Sequence, residues 1–403
     1  MNLNHPLNMS SPDFAQNVHS YFAWMRAEAP VYEARVTRWK KVYVLTRYND
    51  VDAAMRDPRL AKNPNNARTK SGRSGNIWMP KTFRPLMHNM LNSDEPEHRR
   101  LRNLVHKAFT PRMIMQLAPR IEAIANGLLD AALQKPDVEL IRDFALPLPI
   151  TVIAEMIGIP QADREQFRLW TQRILVNPTP FNLARAVPAV SKMLTYFRKL
   201  AAERRVVPQD DLLTALAQAE EAGDRLTEDE LLGMLFLLLV AGHETTVNLI
   251  ANGTLALLTH PDQLALLRER PFLMETAVEE LLRFDGPLET SEMYFAREPY
   301  TLHGVDIPQG AIVLPAILSA NRDETIFANA DKVDITRQPN KHLAFGQGIH
   351  YCLGAPLARL EGKIAFCTLL ERSPNLRLTV DPASLTYHNM MVVHRLNALP
   401  VAL

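Results

Sequence analysis

The 403 residues include 45 lysines and arginines against 44 aspartates and glutamates, a net charge of +1, with 47% apolar and 22% charged residues. So even a balance offers no global attraction to nucleic acid or to an anionic membrane surface, and recognition by charge has to be local. Two cysteines, Cys352 and Cys367, are too few for a disulfide framework and lack the partner spacing of a zinc site. The length is a soft prior for two or three domains, but no compositional seam divides the chain, and one large core is expected.

The opening stretch "MNLNHPLNMSSPDFAQ" has neither a basic n-region nor an apolar h-region, from which a cytoplasmic protein is expected. Strand signals are few and short: "KVYVLTR" near Lys41, "YTLHGVDIPQGAIVLPA" near Tyr300 with turn residues inside it, and "NLRLTV" near Asn375. They predict a small sheet lying mostly to one side. Between residues 61 and 92 the chain is polar and turn-rich, then aromatic and methionine-bearing, the composition of a long functional loop. In "DEPEHRRLR", His98 and Arg102 stand four apart after Pro96 and face one way on a helix. A solvated basic helix explains that pair as well as a binding role does.

Helical periodicity dominates the middle of the chain, in "IEAIANGLLDAALQK" after Pro119, "DDLLTALAQAEEAG" from Asp210 and a long segment from Thr227 to His260. The last opens with a capping box, Thr227 to Glu230, and unbroken would run roughly 50 Å at about 1.5 Å per residue. Its apolar run, Leu231 to Gly242, is shorter than the ~20 residues that a bilayer demands and leads into His243 and Glu244. A buried spine helix is expected, with no membrane span. Within it lies "AGHETT": Gly242 removes a side chain, Thr245 can bond the carbonyl of Ala241, and Glu244 places a carboxyl where a charge needs a reason. In "EELLR", Glu280 and Arg283 stand three apart and can pair on one helical face.

In "FGQGIHYCLG", Gly346 and Gly348 permit conformations that side chains forbid, and Cys352 sits just ahead of a helix from Leu353 to about Arg372. Free N–H groups and the helix dipole at that N-terminus favour a thiolate, fit to act as a nucleophile or a metal ligand; an isolated cysteine is otherwise a small buried thiol. The string from Phe345 to Gly354 resembles the haem-binding loop of the cytochrome P-450 monooxygenases. The resemblance implies that Cys352 is the proximal thiolate ligand of haem iron, that Phe345 packs beneath the macrocycle, and that His350 reaches a propionate. Phe345, Gly346, His350, Cys352 and Gly354 are then cofactor-binding, and Cys367 belongs to the core.

The rest of the chain carries the same likeness in order. By it, His98 and Arg102 bind haem propionates, Ala241 and Gly242 lie against the cofactor, and Glu244 and Thr245 are the acid and alcohol that pass protons during dioxygen reduction. Glu280 and Arg283 match the family's structural Glu–Arg motif. The family often completes that motif with an arginine or histidine from the meander before the cysteine loop, where this chain has Lys332. Related bacterial sequences carry an arginine for a propionate at about the place of Tyr294. "SANRDETIF", with Asn321 and Arg322, also falls in the family's order, and "GPLET" is similar to the macrolide-hydroxylating branch.

The resemblance implies a mainly α fold with a minor β portion, the haem-thiolate fold, as one catalytic domain over residues 1–403. The haem is expected between the long helix and the cysteine-bearing helix. The implied activity is monooxygenation of a lipophilic small molecule with haem b and O2. Two cysteines cannot hold an iron–sulfur cluster and no G-x-G-x-x-G stretch opens a βαβ unit, so electrons are expected from outside the chain; the resemblance implies that a ferredoxin or flavodoxin with its NAD(P)H-dependent reductase supplies them. Arg99, Arg100, Lys107, Arg112 and Arg359 are candidates for that docking face. Candidate pocket residues are Trp78, Phe83, Met87, Leu91, Leu237, Val240, Leu288, Glu289, Met390 and Met391, mostly apolar. A peroxide-using peroxygenase of the same fold usually lacks the acid–alcohol pair, and a haem-binding sensor or carrier would need no proton relay.

Overall fold

A computed structural model describes residues 7–37, 40–68, 81–174, 180–221, 223–390 and 392–403. They fall into two compact units. The first comprises Met1–Ser74, Ala125–Ala145 and Thr245–Leu403, and the second Gly75–Ile124 and Leu146–Glu244.

The first unit holds the sheet. Strands β1 (Val31–Thr37), β2 (Lys40–Leu45), β3 (Leu60–Ala61), β4 (Tyr294–Ala296) and β5 (Ile312–Pro315) assemble in the order β1-β2-β5-β4-β3. β5 joins β2 in parallel and the other pairs are antiparallel. The segment "YTLHGVDI" folds as a separate hairpin, Tyr300–Leu302 against Val305–Ile307, turned by His303 and Gly304 at φ 49° and 76°. Only Arg377–Leu378 of "NLRLTV" is a strand, paired with Pro400–Ala402, which in turn pairs with Val138–Glu139. One face of the five-stranded sheet buries Val42, Val44 and Leu314 against Phe14, Phe22 and Met25, so the alternation of β2 is sorted between two cores.

The long helix runs Glu228–Thr259. Its capping box is reciprocal: the Thr227 N–H donates to Glu230 Oε2 at 2.7 Å and the Glu230 N–H to Thr227 Oγ1 at 3.3 Å. It is long and apolar enough by composition to cross a membrane, but about two-thirds of its most apolar stretch is buried inside the protein, as befits a core helix. Beyond Thr245 it packs on the helices Met274–Phe284 and Ala355–Arg372 through Leu249, Ala256, Leu281 and Phe366. Two glycines allow the close approach. A Cβ on Gly253 would stand 2.6 Å from Phe366 Cζ, and one on Gly362 would stand 3.0 Å from Leu249 Cδ2.

Among its described residues the second unit is helical apart from the short hairpin Glu220–Glu221 with Asp224–Arg225. Phe167 and Phe197, both fully buried, meet with ring centroids 6.1 Å apart and join the helices Arg164–Ile174 and Pro180–Val206. Asp211 caps Leu212–Gln218 by accepting from the Thr214 N–H at 2.7 Å.

Candidate active site

In the first unit, the cysteine loop is shaped by its glycines. Gly346 and Gly348 both take φ of +69°, the left-handed region in which a side chain is strained, and a Cβ on Gly348 would meet the Met55 carbonyl at 2.8 Å. The turn is closed by the Cys352 N–H donating to the Phe345 carbonyl at 2.9 Å. Cys352 is half-buried, three residues before the helix Ala355–Arg372 begins, where unpaired N–H groups favour an anionic sulfur. A Cβ on Gly354 would come no nearer than 3.9 Å to Cys352 Sγ, and one on Gly346 would find nothing closer than the His350 carbonyl at 3.9 Å.

The ring of Phe345 lies under the Arg359 guanidinium at 4.4 Å. Arg359 is held by two bonds to Glu279, at 2.6 and 2.8 Å, and His342 reaches the same carboxylate at 3.1 Å. Burial works to raise the Glu279 carboxyl, but Arg359 and His342 outweigh it and hold it down at about 2. The Arg359 side chain stays 36% exposed while its charge is paired with this bidentate carboxylate. Cys367 sits on the same helix as a partly buried member of the core.

The Glu–Arg motif is built as expected, with one correction. Glu280 and Arg283 are fully buried and joined by two bonds of 2.7 Å. The remaining Arg283 donors go to the carbonyls of Asn321, Ala330 and Lys332 at 2.8 to 2.9 Å. The third charged member is Arg337, 3.0 and 3.2 Å from the two Glu280 oxygens, and Asn340 donates at 3.1 Å. Lys332 gives only its carbonyl. Asn321 also accepts from the Leu343 N–H at 2.7 Å, while Arg322 donates to the Phe284 carbonyl and lies 3.9 Å over the Phe284 ring.

Tyr294 is buried on β4 with the Lys62 ammonium 3.6 Å above its ring, so a cation accompanies the phenol. Leu288 is half-buried and bridges to Val393. Glu289 is 1% exposed, and burial pushes its carboxyl up to about 7 against the opposing pull of His394. Its carboxylate therefore belongs to a buried polar cluster with His394, not to an apolar lining. Met390 is half-buried, Thr245 is half-buried, and Trp78 and Met391 lie outside the described residues.

In the second unit, His98 and Arg102 occupy one face of the helix Glu97–Ala108, His98 buried and Arg102 half-buried. Burial, reinforced by Arg102, lowers the His98 pKa and keeps the imidazole neutral. On the long helix, Leu237, Val240 and Gly242 are half-buried and Ala241 is exposed, although the residues around them are core. That open stripe in an otherwise apolar, buried run is bordered by Glu244, 8% exposed. Phe83 and Leu91 are half-buried and Met87 is exposed. Arg100 pairs with Glu97, Asp224 and Glu230; Arg99, which pairs with Glu95 at 3.3 Å, is exposed, as are Lys107 and Arg112.

These features suit a haem. A half-buried, thiolate-capable cysteine stands in a glycine-shaped loop ahead of a helix N-terminus, and neutral and cationic donors of the kind that bind propionates are present. The comparisons with known proteins agree. The family model "Cytochrome P450" matches residues 262–384. The cytochrome P450 monooxygenase PikC of Streptomyces venezuelae is 44% identical over 96% of this chain and 92% of its own length. The vitamin D(3) 25-hydroxylase of Pseudonocardia autotrophica is 43% identical over 98% and 96%. Among solved structures, the Bacillus subtilis bacillaene polyketide synthase cytochrome P450 PksS superposes with a TM-score of 0.92 at 40% identity, covering 98% of this chain and 99% of that one. With its mainly helical fold and glycine-shaped cysteine loop, the chain belongs to the cytochrome P450 family of haem-dependent monooxygenases.

Proposed function

We propose that residues 1–403 act as a single cytoplasmic catalytic domain in which Cys352 is the axial thiolate of haem b. The observation that carries this assignment is the position of Cys352: half-exposed, ahead of a helix N-terminus, in a turn that two left-handed glycines hold open. When bound, haem supplies the reduction of O2, one atom entering the substrate and the other leaving as water, with thiolate donation favouring O–O cleavage.

The chain's own residues do the rest. Phe345, fixed beneath Arg359, keeps the loop from collapsing on the sulfur. His98, Arg102 and His350 donate to the propionates, as does the Tyr294 phenol, with Ala241, Gly242, Gly346 and Gly354 leaving room for the macrocycle. Glu244 carries a proton to the Thr245 hydroxyl, which holds it at the point of delivery; hydrocarbon side chains could not. Phe83, Met87, Leu91, Leu237, Val240, Leu288 and Met390 exclude water and orient the substrate. Their apolarity, and relatives whose names specify polyketide synthesis and vitamin D(3), support a bulky lipophilic substrate of the macrolide or terpenoid kind. Electrons arrive from a ferredoxin or flavodoxin and its NAD(P)H-dependent reductase, for which exposed Arg99, Lys107 and Arg112 remain as docking cations.

The test compares the two cysteines. Cys352→Ser loses the thiolate signature in the spectrum of the reduced carbon monoxide complex, while Cys367→Ser keeps it. The reverse outcome overturns the assignment.

A further inference from the structure

A second cluster of ligand atoms lies in the first unit and shares no residue with the cysteine loop. His19, on the helix Val18–Glu28, places Nε2 2.8 Å from Asp285 Oδ1, and His394 places Nε2 3.2 Å from the same oxygen. All three ligand atoms lie within 4.8 Å of one another. The scaffold beneath them is tight. The Glu289 N–H donates to the Val392 carbonyl and the His394 N–H to the Pro287 carbonyl, each at 2.9 Å. Asn252 on the long helix donates to the carbonyls of Asp285 and His394 at 3.3 and 3.0 Å. Tyr387 stacks on the His394 ring at 4.3 Å and 13°, fixing its plane, while the His19 ring meets that of His394 edge-on at 76°.

One directed hydrogen bond, between His19 Nε2 and Asp285 Oδ1, joins these side chains, and His394 is held between Asp285 and Glu289 by ion pairing alone. Neither nitrogen of His394 has a well-directed partner, nor has His19 Nδ1, nor either oxygen of Glu289. Glu289 is 1% exposed and its Oε1 lies 3.6 Å from His394 Nδ1, on the ring edge opposite Asp285. A carboxylate behind an imidazole whose other nitrogen points at a ligand set is the usual support of a metal-bound histidine.

We propose that His19, Asp285 and His394 bind zinc, with Glu289 orienting His394 and water filling the fourth position. Tetrahedral zinc with bonds of about 2.0–2.2 Å sets its ligands roughly 3.3 Å apart, so the observed 2.8 and 3.2 Å need open by only a few tenths of an ångström. Arg322, whose charge acts on both His19 and Asp285, opposes a cation here, and Asp285 is the negative charge that offsets it. His19 is 30% exposed, against 9% for Asp285 and 1% for His394, which gives the ion a way in. The ion would clip the N-terminal helix to residues 285 and 394, a structural role independent of oxygenation.

The haem-loaded protein is dialysed against EDTA, loaded with zinc sulfate and desalted, and its zinc and iron are measured by mass spectrometry beside its thermal midpoint. One zinc per iron and a raised midpoint are expected in the wild type. His19→Ala loses the zinc with the haem spectrum unchanged, and Glu289→Gln lowers zinc affinity about 10–100-fold. A zinc-free wild type overturns the proposal, as does equal retention in wild type and His19→Ala, which would place the ion elsewhere. Wild-type affinity in Glu289→Gln removes the carboxylate from the site.

Discussion

Replacing Arg283 by methionine removes a fully buried side chain that makes five hydrogen bonds in the first unit. Its guanidinium is 0% exposed and makes two bonds to Glu280 and three to backbone carbonyls. Breaking a buried ion pair costs about 3–5 kcal/mol. The low end applies here, since Glu280 keeps Arg337, Asn340 and the Asp334 N–H. The carbonyls of Asn321, Ala330 and Lys332 lose a charged donor, at roughly 1 kcal/mol each. Allowing for overlap, Arg283→Met should destabilise by about 4–6 kcal/mol, a large share of the ~5–15 kcal/mol that holds a typical protein folded. Arg337→Met is the control: its side chain is 10% exposed, Glu280 retains Arg283, and about 1–2 kcal/mol is expected. Urea unfolding followed by far-ultraviolet circular dichroism measures both. If Arg283→Met fell within about 1 kcal/mol of wild type, or if Arg337→Met cost more, the reasoning from bond count and burial would fail.

Other outcomes depend on single groups. Glu361, buried on the cysteine helix, has its carboxyl pushed up to about 8 by burial. Its folded pKa lies above the unfolded value, so its contribution is full below about 4.5 and is lost as pH rises through about 8, at up to about 1.4 kcal/mol per unit. Glu361→Gln should therefore flatten the fall in thermal midpoint between pH 6 and 9; parallel curves would show that the group does not titrate there. Thr245→Ala should preserve the haem spectrum and substrate binding while diverting NADPH equivalents to hydrogen peroxide, and Glu244→Gln should slow turnover. Product and peroxide per NADPH with a surrogate ferredoxin system check both, and unchanged coupling with an unchanged rate would favour a peroxide-using enzyme. The double variant His98→Ala with Arg102→Ala should lose more haem on gel filtration than Tyr294→Phe, since two polar donors, one of them charged, outweigh one phenol. Equal haem retention would remove the pair from the site.

The features legible in the sequence are local ones. The capping box at Thr227, the left-handed glycines around Cys352 and the three-residue step from Glu280 to Arg283 are each written within a few residues, and each is found where expected. Features made by the chain returning on itself are not legible. Arg337 joins Glu280 across 57 residues, and only its place in the meander, five positions after Lys332, hints at it. His19 meets Asp285 across 266 residues, so no spacing could announce the cluster. Glu289 is a pocket candidate by its place after the Glu–Arg motif, and the sequence does not show that the pairing of residues 287–289 with 392–394 sets its carboxylate 3.6 Å from His394. The pairing of Arg359 with Glu279 and of Arg100 with Glu230 is not legible because these acidic partners lie on other elements.

The missing side chains at Gly253 and Gly362 act as a gauge. Because a methyl group at either position would press on Phe366 or Leu249, the present spacing between the helix that carries Thr245 and the helix after Cys352 depends on absent atoms, and a side chain there would make Phe366 or Leu249 shift. A gauge of that kind can only be reset in coarse steps, since the smallest available substitution already adds a whole carbon. Libraries made to alter what the enzyme oxidises should leave both glycines untouched.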